Sequence, residues 1–307
     1  MAEKALVSVV IPTYKRPTAL KRAIESVLSQ TYKNTEIFVV DDNDPDTDFR
    51  RDTETVMSEY ADCLNITYLK HEKNRGGSAA RNTGWQNATG KYITFLDDDD
   101  EISPNKLLKQ VECLEKADGS YGACYTAYKR VQNGRDSQIS AENREGWLYI
   151  PALMRTLYMG SGSNLLLKKS VVDEIGGYDE SFVRNQDIEF LARVLENYKL
   201  AFVDEILLVI HQDAARFNRS FEEFDGYSKY YLERFADRIG RLPKKDQKRI
   251  YSVVSLERSR VAVNFKEYRA AFKILHENRV SIVSVIKYVI YLAKRVITHS
   301  SYGFNLK

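Results

Sequence analysis

The sequence predicts an α/β fold in which a mostly parallel, Rossmann-like central sheet is flanked by helices and followed by a helical extension. Short apolar runs alternate with helix-patterned segments through the first hundred residues, which is typical of a doubly wound parallel sheet. Each apolar run ends at a polar cluster, and from about residue 221 the pattern becomes helical and rich in charge. Two domains are therefore expected, an α/β domain over 1–220 and a helical extension over 221–307.

The individual elements follow from hydrophobic periodicity and from helix start signals. The first four strands are predicted over residues 6–11, 36–40, 65–69 and 91–96. Thr18 is the predicted cap of the first helix, and Ser103 with Pro104 is the predicted start of the helix after the fourth strand. Later strands are predicted over 123–131, 163–168 and 200–210, with a helix over 187–197.

Composition excludes several classes of protein. The 307 residues are 43% hydrophobic and carry a net charge of only +3, so no nucleic-acid partner is expected from a global charge field. Cys63, Cys113 and Cys124 have no CxxC spacing, which favours free thiols over a zinc site. No apolar run reaches eighteen residues and the N-terminus lacks the apolar core of a signal peptide, so a cytoplasmic protein is expected.

The most informative segment is a strand that runs directly into four carboxylates, Asp97–Asp100. Adjacent carboxylates repel each other, and their pKa values rise unless a cation is present. In an extended segment Asp97 and Asp99 point to one side and Asp98 to the other. Hard oxygen ligands at the end of a buried strand suit Mg²⁺ or Mn²⁺. A solvated acidic loop is the alternative interpretation of this segment alone.

The polar clusters share one feature, which is that each follows a predicted strand. They cover residues 12–14, 41–43, 71–77 and 97–100. Ligands of doubly wound sheets bind at the carboxyl ends of the strands, so these clusters are expected to converge in one cleft.

Six segments together resemble the family 2 glycosyltransferases, which have the GT-A fold. They are VSVVIPTYKRP, FVVDDND, NRGGSAARNTG, YITFLDDDD, GGYDESF and NQDIEFLARV, and they cover roughly residues 5–212. The resemblance implies transfer of one sugar from a UDP-sugar to a saccharide or lipid-linked saccharide acceptor, with inversion at the anomeric carbon and with Mn²⁺ or Mg²⁺ as cofactor. The product would be a polysaccharide, a glycolipid or a glycoprotein glycan.

The same resemblance implies a set of residues for the nucleotide. This set is Pro12, Thr13, Tyr14, Asp42, Asn74 and Arg81. Asp42 would accept a hydrogen bond from the uracil ring NH, Asn74 would contact the base, and Arg81 would face the diphosphate or the base. A turn aspartate and a surface helix arginine are the alternative interpretations of Asp42 and Arg81.

The acidic run is the DxD motif of the family. By resemblance, Asp99 ligates the metal, Asp97 holds the ribose or the waters of the metal, and Asp98 contacts the ribose. His211 matches a position at which some relatives supply a second metal ligand, although a lone histidine is often structural. Arg216 could cover the diphosphate.

Asp187 matches the position of the catalytic base, which removes the proton of the attacking hydroxyl. The family usually has Glu-Asp here, whereas this chain has Gln186 before Asp187, which leaves the base but removes a neighbouring charge. Glu189 is the alternative base. A helix N-terminal acid favoured by the dipole is the alternative interpretation of Asp187.

The helical extension contains a basic amphipathic segment over residues 281–297. Such a segment can lie on an anionic membrane, which would place the protein on the inner face of the cell membrane. Packing of this helix against the α/β domain, or against a second subunit in a homo-oligomer, is the alternative.

Two other functions compete with sugar transfer. A sugar nucleotidyltransferase would need a glycine-rich phosphate loop after the first strand, where this chain has PTYKRP. A degenerate binding subunit would have lost catalysis, and the presence of both Asp99 and Asp187 argues against it.

Overall fold

The computed structural model describes residues 4–212 and 220–306. The chain divides into two compact units. The first comprises Met1–Leu148 and Met159–Asp213, and the second comprises Tyr149–Tyr158 and Ala214–Lys307. A short internal segment therefore belongs with the C-terminal helices.

Four parallel strands form the first half of the sheet, in the spatial order β4-β1-β2-β3. They are β1 Val7–Thr13, β2 Thr35–Asp41, β3 Ile66–Lys70 and β4 Tyr92–Phe95. Every residue of β1 and β4 is buried, as expected for parallel strands covered on both faces. The predicted α/β fold with parallel strands is confirmed.

Three helices connect these strands, namely α1 Pro17–Leu28, α2 Asp48–Ser58 and α3 Gly77–Asn87. The prediction that Thr18 caps α1 is wrong, because the helix begins at Pro17 and Arg16 holds the cap position. Proline suits a first helical position since its φ is already helical and its missing N–H needs no partner. Helix α3 lies close to β1, and a Cβ on Gly84 would stand 2.2 Å from Cγ1 of Val10.

The second half of the sheet is mixed rather than parallel. β4 pairs antiparallel with β8 (Leu166–Lys168), and β8 pairs antiparallel with β6 (Tyr121–Gln132). β6 in turn pairs parallel with β9 (Lys199–Gln212). The remaining elements of this unit are β5 Asp100–Ile102, α4 Lys106–Lys116, β6 Tyr121–Gln132, β7 Arg135–Ser140, a 3-10 turn Gly162–Asn164, β8 Leu166–Lys168, α6 Lys169–Ile175, α7 Gln186–Asn197 and β9 Lys199–Gln212. The strand predicted over 163–168 is shorter than expected because the turn occupies its first residues.

The second unit is helical. Its elements are α5 Tyr149–Leu153, α8 Phe221–Arg234, α9 Ala236–Gly240, α10 Lys244–Asn264, α11 Tyr268–Glu277, α12 Ile282–Thr298 and a two-residue strand Ser300–Ser301. Tyr231 Oη donates to the Ala152 carbonyl at 3.4 Å, and Arg155 Nη1 lies 2.9 Å from Ser228 Oγ. The predicted C-terminal helices are confirmed. Within the described ranges, no helix combines the length and apolarity needed to cross a bilayer.

Candidate functional site

The ends of the parallel strands bring the predicted polar residues together. Pro12 and Thr13 are the last residues of β1, and the Thr13 carbonyl accepts from the Asp42 amide at 3.0 Å. Thr13 Oγ1 donates to Asp98 Oδ2 at 2.8 Å, and the Tyr14 amide lies 3.3 Å from the same oxygen. Three strand ends therefore meet within hydrogen-bonding distance, and Tyr14 beside them is 39% exposed.

The buried Asp42 carboxylate organises the loop before α3. Its Oδ1 lies 2.7 Å from His71 Nδ1 and accepts from the Arg75 amide at 2.8 Å. Its Oδ2 accepts from Asn74 Nδ2 at 2.9 Å and from the Gly76 amide at 2.8 Å. Gly76 has φ 89°, which favours glycine there. The roles of Asp42 and Asn74 at a uracil ring stay predictions.

Next to Asp42, a buried ion pair supports the end of β2. Asp41 Oδ2 lies 3.0 Å from Arg50 Nε and accepts from Tyr68 Oη at 2.5 Å. Burial and then this bond to Asp41 raise the pKa of Tyr68 above its ordinary value. Arg50 Nη2 also donates to the His71 carbonyl at 2.8 Å. Sequence reasoning missed Arg50 and Tyr68 because one lies on an ordinary charged helix and the other on a strand.

Arg81 links the first aspartate of the acidic run to α7. Its Nη2 lies 2.6 Å from Asp97 Oδ1, and its Nη1 donates to Gln186 Oε1 at 3.2 Å. The Asp97 amide donates to Ser163 Oγ at 2.9 Å, which fixes the backbone where the strand has ended. The alternative interpretation of Arg81 as an ordinary surface arginine does not fit these contacts.

The second aspartate, Asp98, faces inward. It is 5% exposed, and besides the Thr13 and Tyr14 contacts it accepts from Arg16 Nη1 at 3.3 Å. Burial raises the pKa of Asp98 to about 6, while the Arg16 charge acts in the opposite direction. Asp98 therefore ties the acidic run to the end of β1.

The third aspartate, Asp99, keeps more solvent contact. Its side chain is 21% exposed, and its Oδ2 lies 2.6 Å from Arg16 Nη1. Its backbone carbonyl accepts from Arg22 Nη2 at 3.0 Å. Arg16 thus contacts both Asp98 and Asp99, a contact that sequence reasoning did not include.

The last carboxyl of the acidic run is buried, and a buried lysine, Lys106, lies within range of its charge. Asp100 begins β5, is 2% exposed, and accepts from Ser161 Oγ at 2.6 Å. Burial and then the Asp97 charge raise the pKa of Asp100 to about 7. Lys106 Nζ donates to the Ser163 carbonyl at 3.0 Å, and burial lowers the pKa of this lysine to about 8.

Asp187 occupies the first turn of α7. Solvent reaches this residue, yet surrounding protein atoms and then the Asp97 charge raise the pKa of its carboxyl. Bonds from backbone amides and the Arg81 charge act in the opposite direction. Glu189, the alternative base, is 3% exposed and paired with Arg193 Nε at 2.5 Å, so its geometry is that of a structural ion pair.

The two residues predicted to ligate a metal lie on different elements, with Asp99 in the turn between β4 and β5 and His211 on β9. His211 lies on β9, with its Nε2 3.1 Å from Glu101 Oε2. In the part of the chain that the structure describes, no three His, Cys, Asp or Glu side chains lie close enough to hold a metal ion. The roles of Asp99 and His211 therefore stay predictions, and Arg216 lies outside the described residues.

The chemistry of the acidic run nevertheless fits a divalent cation. The donors are carboxylate oxygens, and Asp99 already attracts the cationic Arg16. Mg²⁺ needs only one or two protein carboxylates when substrate phosphates and waters complete its shell. A cation here would also offset the burial and repulsion that raise the pKa of Asp98.

Comparison with known protein families gives one match over more than half of the chain. The model of glycosyl transferase family 2 matches residues 8–176. An uncharacterised glycosyltransferase of Rickettsia prowazekii is 32% identical over 219 residues, which are 69% of this chain and 65% of that protein. The match spans about a third of two further rickettsial relatives. The amylovoran biosynthesis glycosyltransferase AmsB of Erwinia amylovora is 28% identical, over 74% of this chain and 76% of its own.

Solved structures share the fold. S. aureus TarS 1-349 in complex with UDP-GlcNAc has a TM-score of 0.66 at 16% identity, over 95% of this chain and 87% of its own. The mannosyltransferase PcManGT of Pyrobaculum calidifontis, in complex with GDP-Man and Mn2+, has a TM-score of 0.59 at 17% identity, over 96% of this chain and 81% of its own.

Proposed function

This chain belongs to glycosyltransferase family 2, and from that premise we propose that it moves one sugar from a UDP-sugar to a saccharide acceptor with inversion at the anomeric carbon. The observation that carries the proposal is the group formed by Asp97, Arg81 and Asp187. The Asp97 carboxylate is held by the Arg81 guanidinium. The Asp187 carboxyl has a raised pKa and feels the charges of both Asp97 and Arg81. Inverting transfer needs such a separation of roles between donor binding and proton removal.

Asp187 is the proposed base. As the acceptor oxygen forms its bond to the anomeric carbon, the bond to the nucleoside diphosphate breaks and the hydroxyl proton passes to the Asp187 carboxylate. A raised pKa strengthens the base, provided that the carboxyl is still ionised at the working pH. Gln186 remains neutral and is held by Arg81 at 3.2 Å, so it orients the start of α7 without adding charge.

Asp99 is the proposed ligand of Mn²⁺ or Mg²⁺, with His211 as a second ligand and Asp97 on the waters or the ribose. When bound, the cation would neutralise charge on the leaving diphosphate as a Lewis acid. Arg81 and Arg16, which hold the acidic run in the structure, would face the same phosphates.

The nucleoside pocket is proposed to comprise Pro12, Thr13 and Tyr14 with Asp42 and Asn74. The half-exposed Tyr14 ring offers an aromatic surface for a base. UDP is the proposed nucleotide because the ring NH of uracil can donate a hydrogen bond to the Asp42 carboxylate. The Asp42 carboxylate already has four hydrogen-bonding partners. One of these bonds would have to break before the carboxylate could bind the base.

The proposed acceptor is a growing polysaccharide or a lipid-linked saccharide. The likeness to the amylovoran biosynthesis glycosyltransferase supports a biosynthetic role. Degenerate binding without transfer is the competing function, and it predicts nucleotide binding with no turnover.

The first test is thermal melting with UDP, GDP, CDP and ADP, each with and without Mn²⁺. Ligand binding to the folded state raises the melting temperature by mass action. A shift that requires both UDP and Mn²⁺ supports the proposal, whereas a shift with GDP alone overturns the role of Asp42 at uracil. Hydrolysis of UDP-sugars, with NMR of the released anomer, then tests turnover and inversion, and nucleotide binding without any turnover favours the degenerate subunit.

A further inference from the structure

Helix α12 presents its apolar side to solvent. Seven large apolar side chains are each at least 51% exposed, namely Ile282, Val283, Ile286, Val289, Ile290, Val296 and Ile297. Their spacing places them on one side of the helix. A surface helix normally buries such a stripe, so this arrangement is the reverse of the usual one and marks an interaction surface.

The opposite side of α12 explains why the apolar side faces outward. Tyr288 and Tyr291 are the buried residues of this helix, and their rings pack with Phe304 at centroid distances of 5.1 Å. Tyr288 Oη donates to Glu257 Oε2 at 2.5 Å, and Tyr291 Oη donates to the Tyr302 carbonyl at 2.6 Å. These directional bonds fix the rotation of the helix about its axis.

The charges on α12 are all positive. Lys287 and Lys294 are exposed, and being seven residues apart they share one edge of the apolar face. The helix contains no aspartate or glutamate. An apolar strip with a basic edge is complementary to a bilayer surface that carries anionic lipid.

We propose that α12 docks this chain on an anionic lipid bilayer. The helix lies in the plane of the surface, with Ile286 and Ile290 at the acyl boundary and with Lys287 and Lys294 at the level of the phosphates. Its 17 residues are about 25 Å long, less than the bilayer core, and its charges also oppose insertion across it. The inference does not depend on the proposed sugar transfer.

A second copy of the chain fits the apolar face of α12 less well than anionic lipid does. A two-fold symmetric contact through this face would bring Lys287 and Lys294 of both copies close together. No acidic residue on α12 is present to offset that repulsion. Anionic lipid, in contrast, supplies the opposite charge along the whole edge.

Vesicle flotation of the full chain tests the proposal. The probes are phosphatidylcholine vesicles with and without phosphatidylglycerol, at low and high salt. Wild-type protein should float with the anionic vesicles, and less so at high salt. Replacing Ile286 and Ile290 together by glutamate should lower the partition coefficient by about tenfold or more. Replacing Lys287 and Lys294 by glutamine should lower it by about fivefold per lysine on anionic vesicles.

The matched control replaces Leu64 and Val183 by glutamate, since both are exposed apolar residues of the first unit. This variant should float like the wild type, and circular dichroism should show that every variant is folded. The proposal is overturned if wild type does not float with anionic vesicles, or if Ile286→Glu with Ile290→Glu leaves flotation unchanged. It is also overturned if sedimentation shows a dimer that these substitutions dissociate and flotation is absent.

Discussion

Arg16 Nη1 lies 2.6 Å from Oδ2 of Asp99, the aspartate that we propose as a metal ligand. The guanidinium also reaches Asp98 Oδ1 at 3.3 Å. A cationic side chain thus neutralises the carboxylates on which a divalent cation would depend. Any cation that binds there has to compete with Arg16, which would then be available to a phosphate.

Arg16→Gln should therefore strengthen binding of Mn²⁺ in the absence of nucleotide, by about fivefold to tenfold, because the competing charge is gone. Binding of UDP with Mn²⁺ should weaken if Arg16 moves to the diphosphate. Isothermal titration with Mn²⁺ measures the first effect. Lys21→Gln removes a lysine of α1 that is paired with Glu59 and is the control. An unchanged affinity in Arg16→Gln would contradict the competition.

Asp187→Asn should lower UDP-sugar turnover by about 10²-fold to 10⁴-fold, since the proton of the attacking hydroxyl loses its acceptor. The affinity for UDP should stay the same, which a melting shift with UDP and Mn²⁺ can check. Glu189→Gln is the companion variant. It should lower the melting temperature by breaking the pair with Arg193 but leave turnover per folded molecule unchanged, and the opposite pattern would make Glu189 the base.

Asp100→Asn should stabilise the protein at pH 8 but not at pH 4. The folded-state pKa of about 7 is above the ordinary value of 3.8, so protonation favours folding. This contribution is complete below pH 4 and is lost as the pH rises through 7. Asparagine mimics the protonated form, so the variant keeps the stability that wild type loses, up to about 4 kcal/mol.

Denaturant unfolding between pH 4 and pH 8, in the presence of a chelator, measures this difference. Asp46→Asn, which changes an exposed carboxylate, is the matched control. A constant difference between Asp100→Asn and wild type at all pH values would show that packing, rather than ionisation, is the cause.

Asp42→Asn should destabilise the protein even without nucleotide, by about 3 kcal/mol, because an amide group cannot accept all four of the present bonds. Thermal melting of the ligand-free protein measures the loss. A variant with the wild-type melting temperature and weakened UDP binding would instead mean that Asp42 acts only on the base.

Strand ends were the part of the site that the sequence could predict. Apolar runs define β1 and β4, and ligands of doubly wound sheets bind at the carboxyl ends of the strands, which predicts that Thr13 and Asp98 converge in one cleft. In the structure Thr13 donates a hydrogen bond to Asp98. Arg81 and Asp187 are more than a hundred residues apart in the sequence, and only the family resemblance related them. The electrostatic coupling between them follows from the fold rather than from any local pattern.

Other parts of the site leave no local signal. Lys106 begins an amphipathic helix, where a lysine is ordinarily solvated, and its burial depends on the carbonyl of Ser163 in a distant turn. β5 is only three residues long and begins with an acid, so neither its length nor its composition indicates a strand. From the sequence alone, a phosphate contact and a solvated loop residue are equally open for Arg16, because its partners Asp98 and Asp99 are more than eighty residues away.

The segment Tyr149–Tyr158 leaves the first unit, contributes to the second and is followed by a return to the first. Ala152, Leu153 and Met154 are buried, and the Ala152 carbonyl accepts a hydrogen bond from Tyr231 of the second unit. A single cut near residue 220 would therefore not yield two self-contained modules. It would expose three apolar side chains that are buried in the intact chain. Shuffling or truncating either half, in evolution or in protein engineering, therefore carries a risk of aggregation.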